Sequence, residues 1–458
     1  MSTFQSPTMS YDRSGEASLR RPVSAPVSVP GLLLFFAAHV PLALLMFRMP
    51  AIAGVHAAAT VLVSAAWATS GAHPSRVLSA VAYIAGSEVL WRMTHAPIPW
   101  ESGKYALIVV LLLALPRTRP LRVTSFPLVY FALLVPSTVL TLTNKYFGLE
   151  YTRQIICFNL SGPLALAVCA AYCSRVRLTM AQVQRMLTSF LGPAVGMITI
   201  VLFHLAEVEK ISFRTESTSL TSGNYGPNQV SSAFGFAALA AFLIAVVLPL
   251  PRSRGLKWLM VPLAIWLAAQ SALTLSRSGL YLAVGSIAAA AVFGLRDARL
   301  RAGLLVTIVL FYIGGVYVVG PRLDAFTGGV LSKRFAETNL TNRDLIMKAD
   351  LSIWAENPVL GVGPGMAAWH RISYFRKSAA HTEITRLLAE HGILGIIAGT
   401  VLILAARKAF RRQTKSLPWK AFVVAMFAYT LLYVMSNAMR LVIPSLAFGL
   451  AFISLKDE

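Results

Sequence analysis

The chain has 458 residues, of which 56% are hydrophobic and only 13% charged, and its mean hydropathy is +0.66. Soluble domains carry about 25% charged residues, so a water-soluble fold is excluded. The formal net charge of +23 would suit a nucleic acid, but the basic residues are scattered through short loops, and no nucleic-acid partner is expected.

Residues 1–29 are rich in Ser, Pro and Arg, lack an apolar period, and read as a disordered tail. They do not read as a signal peptide, because the first apolar run starts too late and no small-residue cleavage site follows a short apolar core. Apolar runs follow at about 31–47, 52–70, 77–93, 104–116, 125–142, 154–173, 186–206, 229–250, 257–275, 279–295, 302–320, 386–406, 419–437 and 441–455. A helix needs roughly 20 such residues to cross a bilayer, with slack for tilt. The fourth run is short, and the first two or last two leave room for re-entrant or tilted segments. The predicted fold is therefore an all-α polytopic membrane protein with 12 to 14 transmembrane helices and membrane lipid as its surroundings. It divides into a tail (1–29), a transmembrane bundle (30–320), one large loop containing short helices (321–385) and C-terminal transmembrane helices (386–458).

Loop charge gives the orientation. With the N-terminus cytoplasmic, the loops Ser70–Arg76, Pro116–Ser125, Ser174–Arg185, Pro251–Lys257, Arg296–Arg301 and Arg407–Lys420 are cytoplasmic, and every one is basic. With the tails they hold about 23 of the 41 Lys and Arg but about 5 of the 18 Asp and Glu. The positive-inside rule thus fits 14 spans with both termini cytoplasmic. The three cysteines, Cys157, Cys169 and Cys173, share one apolar run and read as packing residues rather than a disulfide or metal set.

Three polar segments then share the outer face: Glu207–Gln229, the Ser276–Ser278 corner and the long loop Pro321–Arg386. In the first, Arg214 precedes a turn-rich tract, Gly223-Asn224-Tyr225-Gly226-Pro227-Asn228-Gln229; Lys210 and Glu216 read as ordinary loop residues. In the second, Arg277 opens a span. An arginine at a membrane boundary either snorkels to the headgroups or marks a site. Its neighbours Ser276, Ser278 and Gly279 favour a small polar pocket wall.

In the third, Asn339–Glu356 has helical spacing, with Leu345, Ile346, Ala349, Ile353 and Trp354 on one face. Thr341 or Asn342 is the expected cap, and Asp344 lies in the first turn. Asn357-Pro358 and the glycines Gly361, Gly363 and Gly365 mark sharp turns. Trp369, His370, Arg371, Tyr374, Arg376 and Lys377 form an aromatic and basic mix suited to sugars and phosphates, with Arg376 and Lys377 reading as a solvated rim. His381 then precedes an apolar helix carrying Gly392 and Gly395. Histidine can take a proton near neutral pH, although a lone histidine at a membrane boundary is more often an interface residue. His391 lies too far along for an i, i+4 metal pair, and no metal signature is present.

The stretch from Asn357 resembles the signature region of the O-antigen ligase and O-antigen polymerase superfamily, bacterial membrane proteins of glycan assembly. The family pattern is a proline–glycine turn, a loop, then His followed by Asn, Ser or Gln, nine residues and Gly-x-x-Gly. Here His381 is followed by Thr382, nine residues from Glu383 to His391, and Gly392-Ile393-Leu394-Gly395; Thr382 departs from the pattern. Ser276-Arg277-Ser278-Gly279, and Arg214 with the tract that follows it, resemble the family's two other arginine segments. The likeness covers about residues 205–410.

It implies a metal-independent, cofactor-free inverting glycosyltransferase of lipopolysaccharide or exopolysaccharide biosynthesis. The enzyme would lie in the bacterial inner membrane with its active site facing the periplasm. The donor would be a glycan on undecaprenyl pyrophosphate, and the acceptor a lipid A-core sugar for a ligase or another glycan for a polymerase. By that resemblance His381 is the catalytic base, and Arg277 and Arg214 bind the pyrophosphate by charge-assisted hydrogen bonds. The alternative from another class is a transporter or flippase of lipid-linked sugars. It predicts charged residues deep in several spans and a pseudo-repeat; the sequence offers only Glu88 and Arg92 near a span end, and no repeat.

Overall fold

The computed structural model describes residues 28–118, 125–208, 212–248, 254–337, 342–374, 378–413 and 416–456. Among these, ten helices are long and apolar enough to cross a membrane, and the chain is an all-α polytopic membrane protein. The first half carries α1 (Val29–Arg48), α2 (Pro50–Thr69), α3 (Pro74–Met93), α4 (Ser102–Ala114), α5 (Phe126–Leu134), α6 (Thr138–Leu142), α7 (Leu149–Cys173) and α8 (Met180–Glu207). Then come α9 (Pro227–Phe242), α10 (Arg254–Leu273), α11 (Arg277–Gly294), α12 (Ala298–Ile313), α13 (Gly320–Phe326) and α14 (Val330–Ala336). The last third holds α15 (Arg343–Glu356), α16 (Ala367–His370), α17 (Glu383–Arg412), α18 (Leu417–Ser436) and α19 (Ile443–Leu450).

Local signals set many of these starts. Prolines stand in the first turn of α2, α3, α9, α18 and α19, where a missing N–H costs nothing. A capping box opens α8: Gln182 N–H donates to the Thr179 hydroxyl, and Thr179 N–H donates to the Gln182 side chain.

The helix α9 is the axis of the bundle, and its whole apolar length to Val247 is buried. It packs against α8, α10 and α11, and α11 packs in turn on α18. Contact between α9 and α11 is backbone to backbone: a Cβ placed on Gly235 would run into the Gly279 carbonyl, and one on Gly279 into the Ser231 carbonyl. Small residues serve this purpose where two membrane helices approach closely. The helices α1, α2 and the continuous stretch Leu300–Phe326 lie at the periphery, with most of their surface exposed, as lipid-facing helices require.

Several elements differ from the sequence expectation. The run at 104–116 is the 13-residue α4, and it begins with a fully buried Lys104 paired to Glu101. The run at 125–142 is two short helices broken around Pro136, which cannot continue the hydrogen-bond ladder. Helix continues through α13 to Phe326, past the expected start of the large loop at Pro321. In α15 the expected buried face is rotated: Ile346, Ala349, Asp350 and Ile353 are buried while Leu345 is exposed. Its cap, Asn342, adopts the left-handed conformation and makes no side-chain cap bond. Thr341, Lys210, Arg376 and Lys377 lie outside the described residues. Cys169 and Cys173 are buried packing residues, Cys157 is exposed, and all three are free thiols.

The run at 441–455 shows the largest departure. Only α19 forms there, eight residues long and about 12 Å at the helical rise. The chain nevertheless travels the full length of α18 and back, because Gln413, just before α18, donates to the Ala451 carbonyl at 3.2 Å. Ser454–Leu455 (β2) then pairs in parallel with Arg177–Leu178 (β1), in the turn after α7. The missing length is supplied by a non-helical, bent stretch, Asn437–Val442, between α18 and α19.

Gly279→Val places a branched side chain against the Ser231 backbone. Overpacking of this kind costs roughly 1–3 kcal/mol. The purified variant in detergent is expected to unfold several degrees below wild type in a thermal scan; an unchanged Tm contradicts the tight α9–α11 contact.

Candidate functional site

Unwound backbone inside a membrane protein is tolerated where protein buries it or where it lines a cavity. Asn437–Val442 has both features. Met439 N–H donates to Glu383 Oε2 of α17 at 3.1 Å, and Val442 N–H donates to Glu88 Oε2 of α3 at 2.8 Å. Arg92 Nη1 donates to the Arg440 carbonyl at 3.2 Å and to Gln229 Oε1 at 2.7 Å. The same arginine pairs with Glu88 at 2.8 Å, donates to the Trp100 carbonyl, and lies over the Trp100 ring at 4.6 Å. Buried charged side chains of two helices, α3 and α17, thus stand in for the helical hydrogen bonds this stretch lacks.

A second break mirrors it. In α17, Gly392 has φ 58° and ψ −137°, a conformation that only glycine adopts readily. The carbonyls of Ala389 and Glu390 just before it accept from Val362 and Gly363 N–H at 2.9 and 3.0 Å, and Ile393 N–H donates to the Pro358 carbonyl at 2.8 Å. The predicted glycine turn is therefore buried in the bundle, its backbone hydrogen-bonded into the broken helix. Gly361, Gly363 and Gly365 all have positive φ. The buried His391, one residue before the break, has its Nδ1 at 2.5 Å from the Ser137 hydroxyl.

The N-terminal end of α17 is locked by charge. Arg386 pairs with Glu383 and, at 2.6 Å, with Glu390. Beside it Arg371 pairs with Asp350 at 2.6 Å, both fully buried, and Asp350 also accepts from the Thr385 hydroxyl at 2.8 Å. Burial pushes the Asp350 carboxyl up from its ordinary value, against the opposing pull of the Arg371 guanidinium and the Thr385 hydroxyl. Arg371 also donates to the Ser378 carbonyl at 2.6 Å, Arg440 donates to the Ala380 carbonyl at 3.3 Å, and Thr382 caps α17 by accepting from Thr385 N–H. His381 sits within this pinned segment, one residue before the cap, as its sequence flank predicts.

His381 lines a cavity of about 90 Å³ with Asn228, Gln229, Tyr433, Asn437 and Arg440. Arg277 belongs to the same neighbourhood through its chain neighbour: the Ser276 hydroxyl donates to Asn228 Oδ1 at 2.7 Å. Around Arg277 gather two arginines that the sequence did not single out. Arg277 donates to the Glu337 carbonyl, Arg334 pairs with Glu337 at 3.1 Å and donates to the Leu275 carbonyl, and Arg343 reaches the Ser436 carbonyl at 3.5 Å. Burial, then the charges of Arg277 and Arg334, pull the Arg343 pKa down. This cationic cluster is linked to the wall of the His381 cavity at two points of the chain, through Ser276 on Asn228 and through Ser436, next to Asn437.

One expectation needs correction. Ser276, Ser278 and Gly279 do not form a pocket wall; they pack on α9, with Gly279 N–H donating to the Ser231 hydroxyl and the Ser276 and Ser278 hydroxyls 3.0 Å apart. Arg214 is exposed and, like Arg277, is not among the lining residues of the His381 cavity. Its neighbour Phe213 packs on the α13–α14 region, with Phe326 at 5.4 Å. Trp369 and Arg371 are part of the site's interior, whereas His370 and Tyr374 face outward.

Sequence reasoning missed Arg440 and the α17 charges. Arg440 ends the four-residue stretch Asn437-Ala438-Met439-Arg440 at the junction of two apolar runs, which reads as a simple turn. Glu383, Arg386 and Glu390, at i, i+3 and i+7 along one helix face, were a legible signal of a buried ionic set.

Leaving one member of a buried pair costs about 3–5 kcal/mol, whereas replacing both with apolar groups costs far less. Asp350→Leu and Arg371→Met are each expected to lower Tm sharply, and the double variant to recover much of the loss. Additive losses in the double variant contradict a coupled pair. No protein-family model matches the chain, and no curated protein matches it.

Proposed function

We propose that the protein is a membrane glycosyltransferase that moves a glycan from undecaprenyl pyrophosphate to an acceptor sugar hydroxyl on the periplasmic face. It would work as an O-antigen or exopolysaccharide polymerase or as an O-antigen ligase. The observation that carries this reading is one titratable group and one guanidinium group at one cavity, with an arginine cluster next to its wall in the chain: His381 lines the cavity with Arg440, and Ser276, the neighbour of Arg277, bonds to Asn228 in that wall. The sequence likeness at His381–Gly395 and at Arg277 points the same way.

In this account the acceptor hydroxyl attacks the anomeric carbon. The new glycosidic C–O bond forms as the bond to the pyrophosphate oxygen breaks, and the hydroxyl proton passes to His381. The electron pair of the broken bond leaves on undecaprenyl pyrophosphate. Arg277, with Arg334 and Arg343 beside it, stabilises that charge by charge-assisted hydrogen bonds. The sequence likeness adds Arg214 to the pyrophosphate site. A single displacement inverts the anomeric centre, as in hydrolases with base and leaving group on opposite faces. The reaction needs no metal or other cofactor in this scheme.

A lipid-linked-sugar transporter is the competing reading. It gains something from the buried charges the sequence had not revealed: Lys104, Glu101, Arg386, Glu383 and Glu390 join Glu88 and Arg92. Yet these charges are paired with one another, and Glu383, Glu88 and Arg92 hold the Asn437–Val442 break in the backbone, which is a fixed structural task.

Purified protein in liposomes, given an undecaprenyl pyrophosphate glycan, is expected to produce carrier-linked ladders, or a single transfer when lipid A-core is added. A general base contributes about 10²–10⁴-fold and one charge-stabilising donor about 10²–10³-fold. His381→Ala and Arg277→Ala should lose activity on those scales while inserting normally, and Arg214→Ala should lose less. Wild-type transfer by His381→Ala removes the base from the mechanism, and labelled lipid crossing the membrane without any transfer replaces the enzyme with a transporter.

A further inference from the structure

A second, larger cavity of about 360 Å³ lies on the other side of the same wall. It shares Ala380, Ala438 and Arg440 with the His381 cavity. Its volume is in the range of small-molecule sites, about 300–1,000 Å³. The rest of the lining mixes aromatic, amide and carboxylate side chains with Arg371, Arg386 and the aliphatic groups of Ile155 and Met439. Tyr151, Phe158 and Trp369 present aromatic rings, and Gln154, Asn159 and Glu390 present amides and a carboxylate.

We propose that this cavity binds a sugar ring of the acceptor, next to His381. A pyranose has apolar C–H faces and a girdle of hydroxyls that both donate and accept. Aromatic rings match the faces; side-chain amides, a carboxylate and guanidinium groups match the girdle.

The walls are held in place before any ligand arrives. Asn159 Oδ1 accepts from Arg386 at 3.3 Å, Glu390 is fixed by Arg386, and Trp369 packs against Phe147 with centroids 5.1 Å apart. Arg440, the shared partition, has no carboxylate partner among the described residues and is set by its bond to the Ala380 carbonyl. Position argues for acceptor rather than donor. The Arg277 cluster lies at the start of α11, whereas the larger cavity lies on the α7 and α16 side, where Arg371 and Arg386 are already paired with carboxylates. An in-line displacement wants the incoming hydroxyl and the leaving pyrophosphate on opposite sides of the reacting carbon. That the sugar is the acceptor rests on the transferase reading; that the cavity takes a sugar rests on its walls alone.

The test is retention of purified, fluorescently labelled full-length protein in detergent on a printed array of bacterial surface oligosaccharides. Wild type, Arg277→Ala, Trp369→Ala and Tyr151→Ala are compared, each first shown to be monodisperse with a Tm near wild type. Tyr151 is substantially exposed, so its truncation tests the site without threatening the fold. Wild type and Arg277→Ala are expected to retain the same oligosaccharides, and both aromatic variants to bind them at least tenfold more weakly. Retention of no oligosaccharide, or equal retention by both aromatic variants, overturns the proposal. Specific retention by a protein that shows no transfer activity supports the sugar site while removing the transferase.

Discussion

Everything near the site depends on one constraint: two stretches of backbone inside the bundle have abandoned the helix and must find hydrogen bonds elsewhere. At Asn437–Val442 the partners are acidic and basic side chains of α3 and α17. Glu383 takes the Met439 N–H, Glu88 takes the Val442 N–H, and Arg92 supplies the Arg440 carbonyl. A buried, unmade backbone hydrogen bond costs about 1–3 kcal/mol, so the stretch could not persist without them. The second stretch is the glycine turn that hydrogen-bonds to the Ala389 and Glu390 carbonyls at the Gly392 break. Both breaks converge on the first turns of α17, immediately after His381.

The consequence is rigidity where chemistry would need it. Arg386 ties Glu383 to Glu390, and Glu383 ties α17 to the unwound stretch. Arg371 and Arg440 grip the chain at Ser378 and Ala380. Preorganised charge of this kind is what allows polar groups in a low-dielectric site to act strongly without reorganising first. The arrangement also leaves Arg440 as the partition between two cavities of different character, one linked to the arginine cluster and one lined by aromatic rings and amides.

Much of the architecture was legible because its cause is local. Apolar runs of membrane length, prolines at helix starts and the Thr179–Gln182 pair are read directly from the chain. His381 before a helix and Arg277 at a helix start also stand where the sequence put them. What escaped was non-local. Nothing near Arg440 announces that Glu88, more than 300 residues away, will hold the backbone beside it. The 441–455 run looks like a span because hydropathy counts apolar residues and is blind to a non-helical path. The polar look of Ser276 and Ser278 suggested a cavity wall, but small hydroxyls serve equally well where two helices touch, and here they do.

The account's central claim is that a lipid-linked glycan binds with its pyrophosphate at the arginine cluster and its reacting sugar at His381. An electron cryomicroscopy structure of the inactive His381→Ala protein with an undecaprenyl pyrophosphate glycan tests it most directly. The account predicts pyrophosphate density contacting Arg277 and sugar density reaching the position of residue 381 beside Arg440. Ordered lipid-linked glycan at any site away from Arg277 and Arg440 contradicts it.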